Sequence, residues 1–173
     1  ASLAVSGQTV TRYVDLLCDL MLVRRLRPWA SNEGKRLVRS PKVYVRDSGL
    51  THALLGLNDF DDVVGHPVAG GSWEGWVIEN LLAAAPRTAQ PYFYRSAAGA
   101  EIDLVLELPG RERWAIEIKR GVAPSVAAGF HVAANDLAVT QRFVVHSGKE
   151  SFPLGRGVHA TAMVDLQQQL HAL

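Results

Sequence analysis

Two short segments, Gly99 to Leu108 (GAEIDLVLEL) and Trp114 to Gly121 (WAIEIKRG), alternate apolar and ionisable residues at the period of a half-buried strand. In the first, Ile102, Leu104 and Leu106 share one side while Glu101, Asp103 and Glu107 share the other. In the second, Trp114, Ile116 and Ile118 oppose Glu117 and Lys119. The connection Pro109-Gly110-Arg111-Glu112-Arg113 has the proline and glycine of a tight reversal, so the two segments are expected to form an antiparallel hairpin. Residues equidistant from Gly110 then pair, which sets Asp103 opposite Glu117 and Glu101 opposite Lys119.

Carboxylates directly opposed on a sheet repel, at a cost of roughly several tenths of a kcal/mol even when exposed. A divalent cation would offset that, and hard oxygen donors on rigid strands suit Mg²⁺ or Mn²⁺ better than softer metals. Lys119, on the same face as Glu117, is placed to hold a phosphate oxygen or a nucleophilic water. These residue types in this pattern point to phosphodiester chemistry.

Asp103 followed by Glu117-x-Lys119 resembles the D...(D/E)-x-K signature of restriction-endonuclease-like nucleases. Agreement extends outside it: Ser6-x-x-Thr9-Val10-x-x-Tyr13-Val14-x-x-Leu17, Pro41-Lys42-Val43-Tyr44-x-x-Asp47-Ser48-Gly49-Leu50, Gly71-x-x-Glu74-x-x-Val77-x-Glu79-x-Leu81 and Tyr92-x-Tyr94-Arg95. Together, from about Ser6 to about Leu154, these resemble domain of unknown function 4143, the C-terminal part of bacterial and archaeal AAA-type ATPases. The resemblance implies an α/β fold with a restriction-endonuclease-like core, α-β-β-β-α-β, whose mixed sheet is flanked by helices. It implies a metal held by Asp103 and Glu117 with the Ala115 or Ile118 carbonyl, a catalytic set completed by Lys119, and DNA as substrate. It also implies a glutamate from the first core helix, a position that Glu74 matches better than Glu79, and an ATPase domain upstream in the same protein.

A chain of 173 residues buries one good core, or one core with a small appendage. No apolar run approaches the roughly 18–20 residues of a membrane span and no signal peptide is visible, so a soluble cytoplasmic protein with no membrane partner is expected. One cysteine, Cys18, excludes an internal disulfide framework and a cysteine-based zinc site, and its setting among helical apolar residues suggests a small buried side chain. The six histidines show no metal-ligand spacing, and neither Gly-x-Ser-x-Gly nor a phosphate-cradling Gly-x-x-x-x-Gly-Lys-Ser/Thr occurs, so ATP binding by this chain is not expected. The start at Ala1 without methionine suggests a piece of a larger protein.

The net charge of +1 hides an asymmetry: the chain carries +6 through Arg46 and −5 beyond it. The basic end is the part suited to phosphate, with Arg12, Arg24, Arg25, Arg27, Lys35 and Arg36 as candidate nucleic-acid contacts. The same side chains also suit the solvated sides of a hairpin or pairing with acids. A helix capped by Ser6 or Thr9 should run to about Leu22, followed by strands over Met21–Trp29 and Lys35–Ser40. This order resembles the last helix and wing of a winged-helix fold and divides the chain into a partial winged-helix piece, 1–46, and a restriction-endonuclease-like domain, 47–173.

Between the wing and the hairpin, Pro41–Arg46 reads as a strand, Leu50–Leu55 as a helix after the Asp47 turn, and Asn58–Gly71 as an acidic, solvated loop holding Asp59, Asp61 and Asp62. Ser72 is expected to cap a helix that runs to about Ala85 before Pro86. A strand at Tyr92–Arg95, with Arg95 bordering a cleft, precedes the hairpin. A helix within Ser125–Leu137, strands at Arg142–His146 and Ala160–Val164, and a helix at Leu166–Leu170 complete the order. Trp29, Trp73 and Trp76 suit either a core or an interdomain surface.

Two function classes remain. One is a Mg²⁺- or Mn²⁺-dependent nuclease; the other is a catalytically inactive module of the same fold that mediates DNA or protein binding for the ATPase, favoured by the absence of a broad basic groove in the acidic part. Substrate form and homo-oligomerisation stay open.

Overall fold

The computed structural model describes residues 5–29 and 37–173. Its first helix, α1 (Gly7–Asp19), starts where Ser6 Oγ accepts a hydrogen bond from the Thr9 N–H at 3.1 Å. Strands β1 (Val23–Pro28) and β2 (Lys42–Val45) follow and pair antiparallel. Helix and two-stranded ribbon thus occur in the expected order, but the ribbon's second strand is Lys42–Val45 rather than Lys35–Ser40. Of that expected strand, residues 35 and 36 lie outside the described residues, and Leu37 makes only an isolated bridge to Ser96. Alternation explains the choice, because Lys42 and Tyr44 turn inward while Val43 and Val45 stay exposed. Cys18 is half-buried and α1 contains no buried residue, so the expectation of a buried thiol is corrected.

Two short helices come next, α2 (Ser48–Leu54), capped by Asp47, and α3 (Phe60–Gly65), capped by Asp59. The second corrects the loop expected there: Asp59 Oδ1 accepts the Asp62 N–H at 2.8 Å, and Asp61 and Asp62 lie in the first turn, where the helix dipole favours acids. Helix α4 (Ala69–Ala84) begins three residues before Ser72, whose hydroxyl instead meets His52 Nε2 at 2.7 Å, and it ends ahead of Pro86.

Strands β3 (Gln90–Arg95), β4 (Glu101–Glu107) and β5 (Arg113–Ile118) form an antiparallel meander; α5 (Ala128–Asp136) then crosses to β6 (Gln141–His146), parallel to β5. The run α4-β3-β4-β5-α5-β6 has the expected order α-β-β-β-α-β. Strand β7 (Phe152–Gly155) was not legible in the sequence: it is an outer strand containing Pro153 and Gly155, residues that weaken a strand pattern. Strand β8 (Val158–Ala162) and helix α6 (Met163–His171) close the chain.

The eight strands make one mixed sheet ordered β2-β1-β3-β4-β5-β6-β8-β7, so the strands of residues 1–46 continue the sheet of 47–173. Helices cover both faces. Val77, Ile78 and Leu81 of α4 with Leu166 and Leu170 of α6 pack over Leu104, Leu106, Trp114 and Ile116 on one face. Phe130, Ala133 and Ala134 of α5 pack over Tyr94, Val105 and Ala115 on the other. Burial on both faces makes β5 a central strand, each fully covered large apolar side chain contributing roughly 1.5–3 kcal/mol. Trp73 and Trp76 lean, half-buried, against the first core, and Trp29 against the second.

One irregularity positions the site. Tyr92 pairs with Val105 but Tyr94 pairs with Ile102, so two residues of β4, Asp103 and Leu104, oppose the single residue Phe93. The bulge turns Ile102 to the α5 face, away from Leu104 and Leu106, which corrects the single-sided pattern expected for β4.

Candidate active site

The hairpin has the register expected from its turn: Leu104 pairs with Ile116, Val105 with Ala115, Leu106 with Trp114 and Glu107 with Arg113. The turn itself needs Gly110, which sits at φ 77°. Past Leu104 and Ile116 the backbone ladder stops, and the Ile118 N–H donates to Asp103 Oδ2 at 3.0 Å. A carboxylate thus takes the place of a strand carbonyl where the two strands part. The opening is a cleft of about 590 Å³ whose lining includes Glu74, Asp103, Glu117, Lys119, Lys42 and Arg95.

Lys42 lines this cleft and meets three of its carboxylates. Its Nζ donates to Glu74 Oε1 at 2.8 Å and Asp103 Oδ1 at 3.2 Å and lies 3.3 Å from Glu101 Oε1. Tyr44, two residues along β2, donates its hydroxyl proton to the same Glu74 oxygen. Lys119 Nζ donates to Glu117 Oε1 at 2.6 Å, and Arg95 Nη2 to Glu101 Oε1 at 2.6 Å. Glu101 therefore pairs with Arg95 and Lys42, not with Lys119 as the hairpin register suggested. The indole N–H of Trp73 reaches the Lys119 carbonyl at 3.2 Å, tying α4 to the end of β5.

Four carboxylates face three cations, and burial competes with neighbouring charge over the protons of Asp103, Glu117, Lys42 and Lys119. Burial first, then the charge of Glu74, raises the Asp103 pKa above its ordinary value despite Lys42. Burial first, then the charge of Asp103, pushes Glu117 up to about 7, although its bond to Lys119 pulls the other way. Burial works to lower the pKa values of Lys42 and Lys119, but the surrounding carboxylates raise both, so both stay ammonium.

The raised Glu117 pKa has a consequence for stability. The folded state holds the Glu117 proton more tightly than the unfolded chain, whose carboxyl ionises near 4.5. Its contribution is therefore intact below about pH 4.5 and is lost as pH rises towards about 7. Glu117→Gln is expected to lose up to about 3 kcal/mol less than the parent between pH 4.5 and 8 in urea unfolding. Parallel pH profiles for the two proteins would show that Glu117 ionises without cost.

Of the candidates read from the sequence, the structure brings Glu74, Asp103, Glu117 and Lys119 together. Glu79 lies elsewhere, accepting from Arg24 and from Arg46 Nε at 2.8 Å. Arg24 is thus engaged inside the fold, and Arg25 pairs with Asp15 at 2.6 Å. Arg12 and Arg27 are exposed, while Lys35 and Arg36 lie outside the described residues. Lys42 and Tyr44, which the motifs above contain but assign no role, enter the site. The signal was present in the alternation Lys42-Val43-Tyr44-Val45, which puts a cation and a phenol on one inward face.

The model of a family described as a domain of unknown function (DUF4143) matches residues 69–166, which include α4, the meander and Glu74, Asp103, Glu117 and Lys119 of the site but not Lys42 and Tyr44. The chain belongs to the DUF4143 family. A second family, also described as a domain of unknown function (DUF8612), matches residues 1–61. Uncharacterized proteins of Mycobacterium tuberculosis and Mycobacterium bovis are each 44% identical over 160 residues, covering 92% of this chain and 36% of their own length. The DUF4143 chain thus spans about a third of the length of the curated relatives it matches. No solved structure matches it. Among its described residues no helix is long and apolar enough to cross a membrane.

Proposed function

We propose that this domain is a divalent-metal-dependent phosphodiesterase acting on DNA, with a restriction-endonuclease-like core. The observation that carries the reading is the opened hairpin end, which delivers Asp103, Glu117 and Lys119 into one cleft facing Glu74 of α4.

The donors suit a hard cation in kind. Among the described residues no three acid, histidine or cysteine side chains form a ready cage, yet Mg²⁺ needs none, since it keeps several waters and takes one or two carboxylates plus substrate phosphate. The raised pKa values of Asp103 and Glu117 mark a buried acid pair still short of positive charge. Asp103 and Glu117 would hold the ion, the latter in its ionised form, with Glu74 orienting a water. Such an ion, when bound, supplies a nucleophile at neutral pH and neutralises charge on the phosphate. Lys119, ammonium beside Glu117, orients the attacking water and holds a phosphate oxygen. The longer relatives agree with this domain being one part of a protein whose other part is the AAA-type ATPase that the family resemblance implies.

Calorimetric titration with Mn²⁺, followed by cleavage assays on plasmid and branched DNA, tests the reading. The parent is expected to bind and cut, and an Asp103→Ala/Glu117→Ala variant of unchanged circular dichroism to do neither. A folded parent that takes up no Mn²⁺ at millimolar concentration, with or without DNA, would overturn it. That outcome favours the noncatalytic binding module, for which the engagement of Arg24 and Arg25 in internal ion pairs speaks, because it leaves fewer cations for phosphate.

A further inference from the structure

We infer that Lys42 is a tethered cation that stands in for the divalent ion, so that metal entry into the cleft requires its ammonium to leave. The inference rests on the reading of the cleft as a metal site and adds to it a residue that sets metal affinity.

The geometry is that of a filled position. An ammonium has three protons to donate, and three carboxylate oxygens lie within reach of Lys42 Nζ: Glu74 Oε1 at 2.8 Å, Asp103 Oδ1 at 3.2 Å and Glu101 Oε1 at 3.3 Å. The other Asp103 oxygen, Oδ2, is turned to the backbone, where it accepts the Ile118 N–H at 3.0 Å. An ion ligated through Oδ1 therefore competes with Lys42 directly. The Lys42 side chain is only 17% exposed, so a metal cannot simply add beside it without bringing two centres of positive charge together in a buried space.

The backbone that carries the lysine is not part of the β4–β5 ladder. Lys42 opens β2, the outermost strand on its side of the sheet, which among the described residues pairs with β1 alone. It reaches the acids of α4 and β4 from outside the β4–β5 hairpin. Its ammonium also lies 5.5 Å from the centre of the Phe93 ring, which offers a cation–π surface beside the carboxylates. Lys119, by contrast, sits 40% exposed on Glu117 and leaves both Asp103 oxygens untouched. The two lysines thus divide the acids: Lys119 serves the hairpin's second carboxylate, and Lys42 neutralises Asp103 together with Glu74 until a stronger cation arrives.

Mn²⁺ affinity measured by calorimetry on the parent, Lys42→Met and Lys42→Met/Asp103→Asn tests this. Lys42→Met is expected to bind at least about tenfold more tightly than the parent, and the added Asp103→Asn change to remove the gain. Equal affinity in the parent and Lys42→Met would overturn the competition while leaving the metal site standing. Binding in none of the three would remove the site and the inference with it. An independent measurement needs no variant: with lysine ¹³C-labelled at Cε, four signals are expected, and saturating Mg²⁺ should move that of Lys42 far more than those of Lys35 and Lys149. A Lys42 signal unchanged at saturation would overturn the inference even if Lys42→Met does not fold.

Discussion

Replacing Lys119 with methionine is expected to lower Mn²⁺-dependent cleavage by about 10²–10⁴-fold, the usual range for a group that handles a proton or orients water at the reacting atom. The substitution keeps most of the aliphatic stem and removes only the ammonium. The backbone at this position is held independently, by the Trp73 indole on the Lys119 carbonyl at 3.2 Å and by the Lys119 N–H on the Val145 carbonyl at 2.9 Å. The strand end should therefore stay in place. Mn²⁺ affinity is expected to hold or to rise, because Glu117 loses its competing partner. A rate loss at saturating Mn²⁺ thus separates the role of Lys119 in the reaction from that of Asp103 and Glu117 in holding the ion. Parental cleavage rates in a folded Lys119→Met protein would sink the role assigned to Lys119.

Glu79→Ala should destabilise the fold by about 2 kcal/mol, a figure taken from broken buried ion pairs and reduced for the partial exposure of both arginines. Glu79 binds α4 to the outer strands. Its two oxygens accept from Arg24 on β1, including Nη2 at 3.0 Å, and from Arg46 just past β2 at 2.8 Å. Its side chain is 12% exposed, so truncation leaves two guanidinium groups facing each other with no carboxylate between them. Burial alone would raise the Glu79 pKa, but the two arginines win and hold it below its ordinary value. A folded pKa below the unfolded one adds stability that is full above about pH 4.5 and fades as pH falls. Urea unfolding at pH 7 and pH 3 measures both points: the deficit of Glu79→Ala is expected at pH 7 and should shrink at pH 3. An equal deficit at the two pH values would assign the loss to packing instead of charge.

How far the site was legible in the sequence follows from the range of the interactions that build it. The β4–β5 hairpin is local: its alternation and its Pro109-Gly110 turn lie within about twenty residues, and turn geometry alone sets the register as far as Leu104 and Ile116, past which Asp103 and Glu117 enter the cleft. Helix starts at Ser6 and Asp47 are equally local, each a side chain reaching the N–H three residues on. The acidic stretch at Asp59 misled because three aspartates suit a loop as well as a helix N-terminus. The bulge at Asp103 and Leu104 left no mark in the pattern, since Glu101, Ile102, Asp103 and Leu104 alternate as though the strand were regular.

The residues of this chain by themselves determined the order α-β-β-β-α-β, the hairpin and the acids and lysine it carries, because backbone pairing and side-chain period act over a few positions. Tertiary structure alone decided that Glu79 is taken up by Arg24 and Arg46, and that Lys42, 32 and 61 positions from Glu74 and Asp103, lies between them. Periodicity reports which face of an element is inward. It carries no information on which charges from distant strands meet there, a matter settled when buried carboxylates must find cations before they can leave water.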